Sequence, residues 1–179
     1  MSLERIRKNT SLVETEFAPL NNIQLNWKPA DKSWSVGQVL EHIIVSNRKY
    51  FELLGKAQSD TYKPTLWEKW SPLSKYTGKN LVKNMGPETS KKYIAPMLFK
   101  PSRNMIGQEI IGRFMKMQEE LEEFYIRMSN EKYSARVITS PVANLVTLTV
   151  ADVLELLVSH EERHLNQAQR IVHTTGFPQ

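Results

Sequence analysis

The chain has 179 residues, of which 40% are hydrophobic, so it is long enough for one ordinary domain with one core. It contains no cysteine, which excludes disulfides, thiolate metal ligands and a cysteine nucleophile and fits a cytoplasmic protein. The net charge is +5, and residues 58–101 hold eight lysines against three acidic residues, so the rest of the chain is about neutral. No nucleic-acid motif accompanies these lysines, so we interpret them as a solvated loop and predict no nucleic-acid partner.

No apolar run approaches the ~20 residues that a membrane span needs. The first residues, Met-Ser-Leu-Glu-Arg-Ile, lack the basic and then apolar plan of a secretory signal. We therefore expect one domain over residues 1–179 and no membrane association.

The first two predicted helices lie near residues 3–20 and 35–56. On the first, apolar residues recur at spacings of three, four and seven, which places them on one helical face. Pro19 is expected to end this helix because proline lacks the N–H that a helix needs. Ser35 and Gln38 form the S-x-x-Q capping-box pattern, which predicts a helix beginning at Ser35.

The third and fourth predicted helices lie near residues 104–128 and 149–173. Thr149 and Asp152 occupy the N-cap and N3 positions of the fourth, and Gly176 is expected to stop it. Apolar residues on the third repeat at alternating threes and fours: Ile106, Ile110, Phe114, Met117, Leu121, Phe124 and Met128. Four such helices predict an all-α fold, a four-helix bundle with a long connection between its second and third helices.

That connection, residues 58–101, contains five of the nine prolines. Connections of this length are unusual in a compact domain and are often functional. We expect short helical turns within it, and we interpret residues 142–148 as one extended run, too little for a sheet. The aromatic residues expected to anchor the connection to the bundle are Trp67, Trp70, Tyr93 and Phe99.

Histidines supply the candidate metal site. His160 and His164 are four residues apart on the apolar stripe of the fourth helix, so they share its inward face and could share one metal ion. The alternative is a pair of polar core histidines held by neighbouring groups. His42, two turns into the second helix, offers a third nitrogen. His173 lies about half a turn off this face, so we interpret it as a surface residue.

The stretch from His160 to His164 also matches the H-E-x-x-H pattern of zinc metalloproteases. No Asp or Glu follows it, and Gln167 and Arg170 stand where the extended motif has Gly and His, so we do not expect a protease. Glu161 could act as a general base beside a metal-bound water. We favour the alternative, a solvated glutamate one position off the stripe.

Taken together, three stretches resemble the DinB-like family, the metal-binding four-helix bundles related to YfiT. Residues 25–29 (LNWKP) are similar to the family's segment after the first helix. Residues 34–43 (WSVGQVLEHI) are similar to its second-helix start, which ends in the first metal histidine. His160-x3-His164-x2-Gln167 is similar to its fourth-helix motif.

The resemblance implies a site for one divalent ion, zinc or nickel, with His42, His160 and His164 as ligands. Some members of the family are S-transferases that use low-molecular-weight thiols, and one is a maleylpyruvate isomerase. We therefore expect a metal-dependent enzyme that activates a thiol or water nucleophile, similar to a thiol S-transferase, acting on an unidentified small molecule. The alternatives are a metal-dependent hydrolase and a non-enzymatic metal-binding or interaction module.

Two structural expectations follow, one from these alternatives and one from the family resemblance. An enzyme needs a cleft that reaches the metal, and a lining by Trp67, Trp70 or Tyr76 would favour catalysis. A 58–101 segment that covers the metal completely would favour the non-enzymatic module. The family resemblance also implies a homodimer paired through bundle faces. Methionines of the third helix that such a contact could include are Met105, Met115 and Met117.

Overall fold

A computed structural model describes residues 3–71, 74–88 and 96–179, with the backbone alone for 74–77. This part of the chain is mostly helical, which confirms the predicted all-α class. Its helices are α1 (Leu3–Leu12), α2 (Asn22–Asn26), α3 (Val36–Gln58), α4 (Leu66–Trp70), α5 (Ser74–Met85), α6 (Glu109–Met128), α7 (Glu131–Ser134) and α8 (Val150–Val172). None of them is long and apolar enough to cross a membrane.

Three smaller elements complete this description. A π-helical stretch, Val13–Phe17, continues α1, and a 3-10 turn spans Met97–Phe99. Strands β1 (Val137–Thr139) and β2 (Thr147–Thr149) pair antiparallel, with Ile138 opposite Leu148. They form a two-stranded ribbon, and the described residues contain no other strand.

The long helices α1, α3, α6 and α8 form the bundle. Both predicted helix starts at capping residues are confirmed. The Ser35 side chain accepts a hydrogen bond from the Gln38 N–H, and the Gln38 side chain accepts one from the Ser35 N–H. Thr149 accepts from the Asp152 N–H. The largest side chains with no exposed surface include Phe17, Phe114, Ile6, Leu25, Leu40, Ile43, Leu54, Ile110, Met117 and Leu121.

The start of α6 departs from the prediction by five residues, at Glu109 instead of 104. The Asn26 side chain explains the difference. Its Nδ2 donates to the Ile106 carbonyl at 2.8 Å, and its Oδ1 accepts from the Ile106 N–H at 2.8 Å. Because both backbone groups of Ile106 are already paired with Asn26, this residue stays outside the helix although its side chain is buried.

Helices α3 and α8 are antiparallel. The Arg136 guanidinium donates to the carbonyl of Ala57, at the end of α3. The Arg136 carbonyl accepts from the N–H of Val150, the first residue of α8, at 2.8 Å. At the opposite end, Trp27 packs edge-on against Phe177, with ring centroids 5.5 Å apart. The start of α3 therefore lies beside the end of α8.

The connection between α3 and α6 contains the expected short helical turns, but the prediction that Trp67 and Trp70 anchor it is wrong. Their side chains are 40% and 79% exposed. Glu68 holds this part instead, because its Oε1 accepts from the Thr139 N–H at 2.9 Å. Glu68, which lies between the two tryptophans in the sequence, thus caps strand β1, and the two indole rings remain on the outer face.

The second half of the connection does reach the bundle. Helix α5 packs along α8, and Phe99 is buried at 4% exposure, as predicted. Tyr93 and the side chain of Tyr76 lie outside the described residues.

Candidate metal centre

The histidines of α3 and α8 come together in the bundle. One ring nitrogen from each of His42, His160 and His164 lies within 4.8 Å of the other two. The ring centroids are 4.5 Å apart for His42–His164, 4.5 Å for His160–His164 and 5.1 Å for His42–His160. His173 caps the exposed end of α8 and takes no part in this cluster.

Local structure explains this convergence. On α8 the spacing of four stacks His160 above His164 on one face. On α3 the Ser35 cap fixes where the helix begins, so His42 falls on the face that meets α8. Each histidine therefore lies on a long helix whose residues before and after the site are buried in the core. Rigid elements thus hold the cluster.

Two of the imidazoles are oriented by hydrogen bonds at Nδ1. His42 donates to the Phe99 carbonyl at 2.6 Å, and His164 donates to Oε1 of Gln167 at 3.0 Å. Since Nδ1 carries the proton in both rings, Nε2 keeps its lone pair. Such partners commonly fix the tautomer and direction of metal-binding histidines.

Burial also keeps the cluster neutral. It lowers the pKa of His42, against the raising effect of the Phe99 hydrogen bond. Burial, followed by repulsion from His42, lowers the pKa of His164 to about 3. Burial, followed by repulsion from the other two rings, lowers the pKa of His160 well below its ordinary value. Neutral imidazole is the form that binds metals.

The cluster opens onto a cleft of about 1510 Å³. Trp34 forms one wall, with its ring centroid 4.8 Å from that of His42 and 6.1 Å from that of His164. Neither Trp67 nor Trp70 borders the cleft, so these two residues give no support to catalysis. The 58–101 segment contributes Leu81, Met85 and Phe99 among other residues, and in the described chain it leaves the histidines accessible.

Ser46 lines the same cleft one turn beyond His42. Its side chain is buried at 5% exposure, and its hydroxyl finds no hydrogen-bond partner within the part of the chain that the structure describes. A buried hydroxyl without a partner is costly. Its position in the cleft suits it to bond a polar group of a bound molecule.

Glu161 takes neither of the two roles considered for it from the sequence. Its side chain has no exposed surface, so the interpretation as a solvated glutamate is wrong. It points away from the histidines, because its carboxylate accepts from Asn9 at 3.1 Å, Asn47 at 2.6 Å and Gln118 at 3.0 Å. Burial raises its pKa to about 7, against the lowering effect of these three bonds. Glu161 is thus a core residue that joins four helices.

The residues present fit a divalent metal ion. Three neutral nitrogen donors leave at least one coordination position for another ligand, which is the plan of catalytic zinc sites. No Asp or Glu joins the three histidines among the described residues, so a bound divalent cation would keep its full charge. Imidazole suits zinc and nickel alike, so the donor set alone does not select the metal.

Comparison with known proteins assigns the chain to a family. The sequence profile described as DinB superfamily matches residues 3–168, nearly the whole chain. The protein belongs to the DinB superfamily. Within the range that this DinB superfamily match covers lie all three clustered histidines, whereas His173 falls beyond it. No solved structure matches the chain.

One similar protein is the uncharacterized protein YuaE of Bacillus subtilis (strain 168). It is 26% identical over 165 residues, which cover 91% of this chain and 93% of YuaE. The similarity therefore extends over nearly the full length of both proteins.

Sequence reasoning found the three histidines but missed most of what surrounds them. Trp34 was part of the family-like stretch 34–43, but its place beside the histidines was not predicted. The Phe99 carbonyl carries no sequence signal, because every residue has a carbonyl. A signal for Glu161 was present, since its partners Asn9, Asn47 and Gln118 are polar residues at apolar positions of their helices.

Proposed function

We propose that this DinB superfamily protein is a metal-dependent enzyme that activates a thiol or water nucleophile toward a small molecule bound in the cleft. His42, His160 and His164 would hold the ion, zinc or nickel. The observation that carries the proposal is the cluster of three neutral histidines on the wall of an open cleft. A closed cluster would have favoured a structural or storage role.

A divalent ion on three imidazoles supplies Lewis acidity, which lowers the pKa of a thiol or of water. The chain's own residues would do the rest. The Phe99 carbonyl and Gln167 hold two of the rings in the ligand orientation. Trp34 shields the histidines on one side, and the Ser46 hydroxyl is available to orient the bound molecule.

Of the two reactions, thiol transfer and hydrolysis, we favour thiol transfer. In it the thiol loses its proton to solvent, its sulfur forms a bond to an electrophilic carbon, and the leaving group departs from that carbon. The large cleft favours this bimolecular reaction, because two organic molecules must lie beside the histidines at once. Hydrolysis needs only water as the second reactant.

A turnover screen tests this proposal. Tag-free protein loaded with zinc or nickel would be offered cysteine or glutathione with 1-chloro-2,4-dinitrobenzene, a reaction that forms a C–S bond and releases chloride. We expect a rate above the uncatalysed one that is lost in His42→Ala and kept in His173→Ala. Hydrolysis of p-nitrophenyl acetate without thiol turnover would assign the hydrolase instead. Absence of both activities in metal-loaded protein would favour the non-enzymatic module.

A further inference from the structure

The cleft beside the histidines has two chemically different ends. Because α3 and α8 are antiparallel, the start of α3 and the end of α8 lie at one end, and Tyr50 of α3 and Leu156 of α8 lie at the other. The histidines stand between them. The charge and polarity of the lining change along this axis.

One end of the cleft is basic. Lys28 and Lys32 precede α3, and Trp27 next to them packs on Phe177 beyond the end of α8. Residues 100–103 lie on the first turns of α3, since Ser102 accepts from Gln38 at 2.9 Å. Arg170 lies in the last turn of α8. The cations that line this end of the described cleft are Lys28, Lys32, Lys100, Arg103 and Arg170, with Asp31 as the one acidic residue there. A sixth cation, Arg163, lies at the level of the histidines and donates to the Asn84 carbonyl at 3.1 Å.

This balance differs from that of the whole protein, in which 24 basic residues accompany 19 acidic ones. The cleft cations also come from three separate parts of the chain: the loop before α3, the segment after the 3-10 turn, and α8. The fold thus gathers them at one place. Clefts lined by one sign of charge concentrate small molecules of the opposite sign.

The other end of the cleft is apolar. Tyr50 and Leu157 form it together with Leu81 of α5, which packs along α8. Leu156 and Met85 line this surface as well. An alkyl or aromatic group would bury apolar area here, whereas a charged group would lose its hydration without compensation.

We propose that the cleft binds an amphipathic organic anion lengthwise, with its carboxylate or phosphate at the basic end and its apolar part against Tyr50, Leu81 and Leu157. The middle of such a molecule lies beside the histidines and the Ser46 hydroxyl, which has no hydrogen-bond partner among the described residues. This inference names the substrate class for the proposed function and in that sense rests on it, but the binding itself requires no metal ion.

Binding of simple amphiphiles tests the inference in the full chain kept metal-free with a chelator. We expect calorimetric titration to show that octanoate or octyl phosphate binds at least tenfold more tightly than octanol or octyltrimethylammonium, which share the same chain. Octanoate should also bind at least tenfold more tightly than acetate, and octyl phosphate at least tenfold more tightly than inorganic phosphate. Tighter binding of octanoate assigns a carboxylate, and tighter binding of octyl phosphate assigns a phosphate. Equal binding of the neutral or cationic amphiphile would overturn the inference.

A charge-reversal pair locates the site. Lys32→Glu combined with Arg103→Glu should weaken binding of the octyl anion at least tenfold, because both side chains lie in exposed non-helical segments at the basic end. Lys8→Glu combined with Lys116→Glu is the matched control, since it makes the same charge change at exposed positions outside the cleft. Equal loss in both variants would overturn the inference. If the metal-loaded protein shows no turnover, the inference about anion binding still holds, because these titrations contain no metal.

Discussion

Two rings of the histidine cluster, those of His42 and His164, depend on the group that accepts their Nδ1–H hydrogen bond. Gln167 lies one turn beyond His164 and accepts the hydrogen bond of its Nδ1–H at 3.0 Å. Without this acceptor the ring could turn and the other tautomer could form, so Nε2 would no longer be fixed as the ligand atom. The orientation of His164 is therefore a property of two residues.

We predict that Gln167→Ala weakens zinc or nickel binding by ~10–100-fold, the usual cost of losing a partner of a metal ligand. Gln169→Ala is the matched control, because Gln169 lies on the same helix and bonds Glu16 at 2.8 Å instead of a histidine. Calorimetric titration of the two variants checks the prediction. Equal affinities would show that Gln167 does not orient His164.

Glu161 is a second residue whose surroundings determine its behaviour, because its carboxyl group has no exposed surface. Its pKa in the folded protein is raised to about 7, above the ordinary value of ~4.3 for an unfolded chain. The folded state therefore holds this proton more tightly, and the contribution of Glu161 to stability falls as the pH rises from ~4.5 to ~7. Above pH ~7 the group is a charged carboxylate that stays buried.

Glu161→Gln should remove this pH dependence, because glutamine resembles the protonated acid in shape and charge. Relative to wild type, the variant should gain stability as the pH rises from 4.5 to 8, by on the order of 3 kcal/mol at ~1.4 kcal/mol per unit of pKa. Urea unfolding of both proteins with a chelator measures the difference. A difference that stays constant, or that turns toward the wild type at pH 8, contradicts the raised pKa.

At the scale of elements, the segment between α3 and α6 contacts the histidine cluster. Its 3-10 turn supplies the carbonyl that accepts from His42, and the buried Phe99 side chain holds this turn against the bundle. The segment thereby serves two purposes: it lines the cleft, and it orients His42, which precedes Phe99 by 57 residues in the sequence.

We predict that Phe99→Ala weakens metal binding by about tenfold, because the turn loses its buried anchor and the carbonyl moves. Met97→Ala in the same turn should leave binding unchanged, since that side chain is 83% exposed. Phe99→Leu should restore affinity if burial is what positions the carbonyl. An unchanged affinity in folded Phe99→Ala would exclude this role of the segment.

Prediction from the sequence succeeded where short-range rules apply. The spacing of four between His160 and His164 and the Ser35 cap are local, so helix geometry alone placed them. It failed where distant residues decide. The start of α6 depends on Asn26, and the burial of Glu161 depends on amides from three other helices. Such partners are more than 40 residues away and leave no periodic signal.

At the scale of the whole molecule, the homodimer stays a prediction. Met117 cannot contribute to its contact surface because it is fully buried within the bundle, whereas Met105 is 77% exposed. We expect twice the chain mass of 20.8 kDa by light scattering at micromolar concentration. A mass equal to that of a single chain would contradict a stable dimer, and Met105→Glu would test whether this residue lies at the contact.

The central claim is that three histidines from two helices hold one divalent ion. Titration of chelator-stripped, tag-free protein with zinc and with nickel tests it most directly. We predict one ion per chain, with an affinity reduced at least 100-fold in His42→Ala, His160→Ala and His164→Ala and unchanged in His173→Ala. A stoichiometry near zero in wild type, or wild-type affinity in His42→Ala, would contradict the shared site.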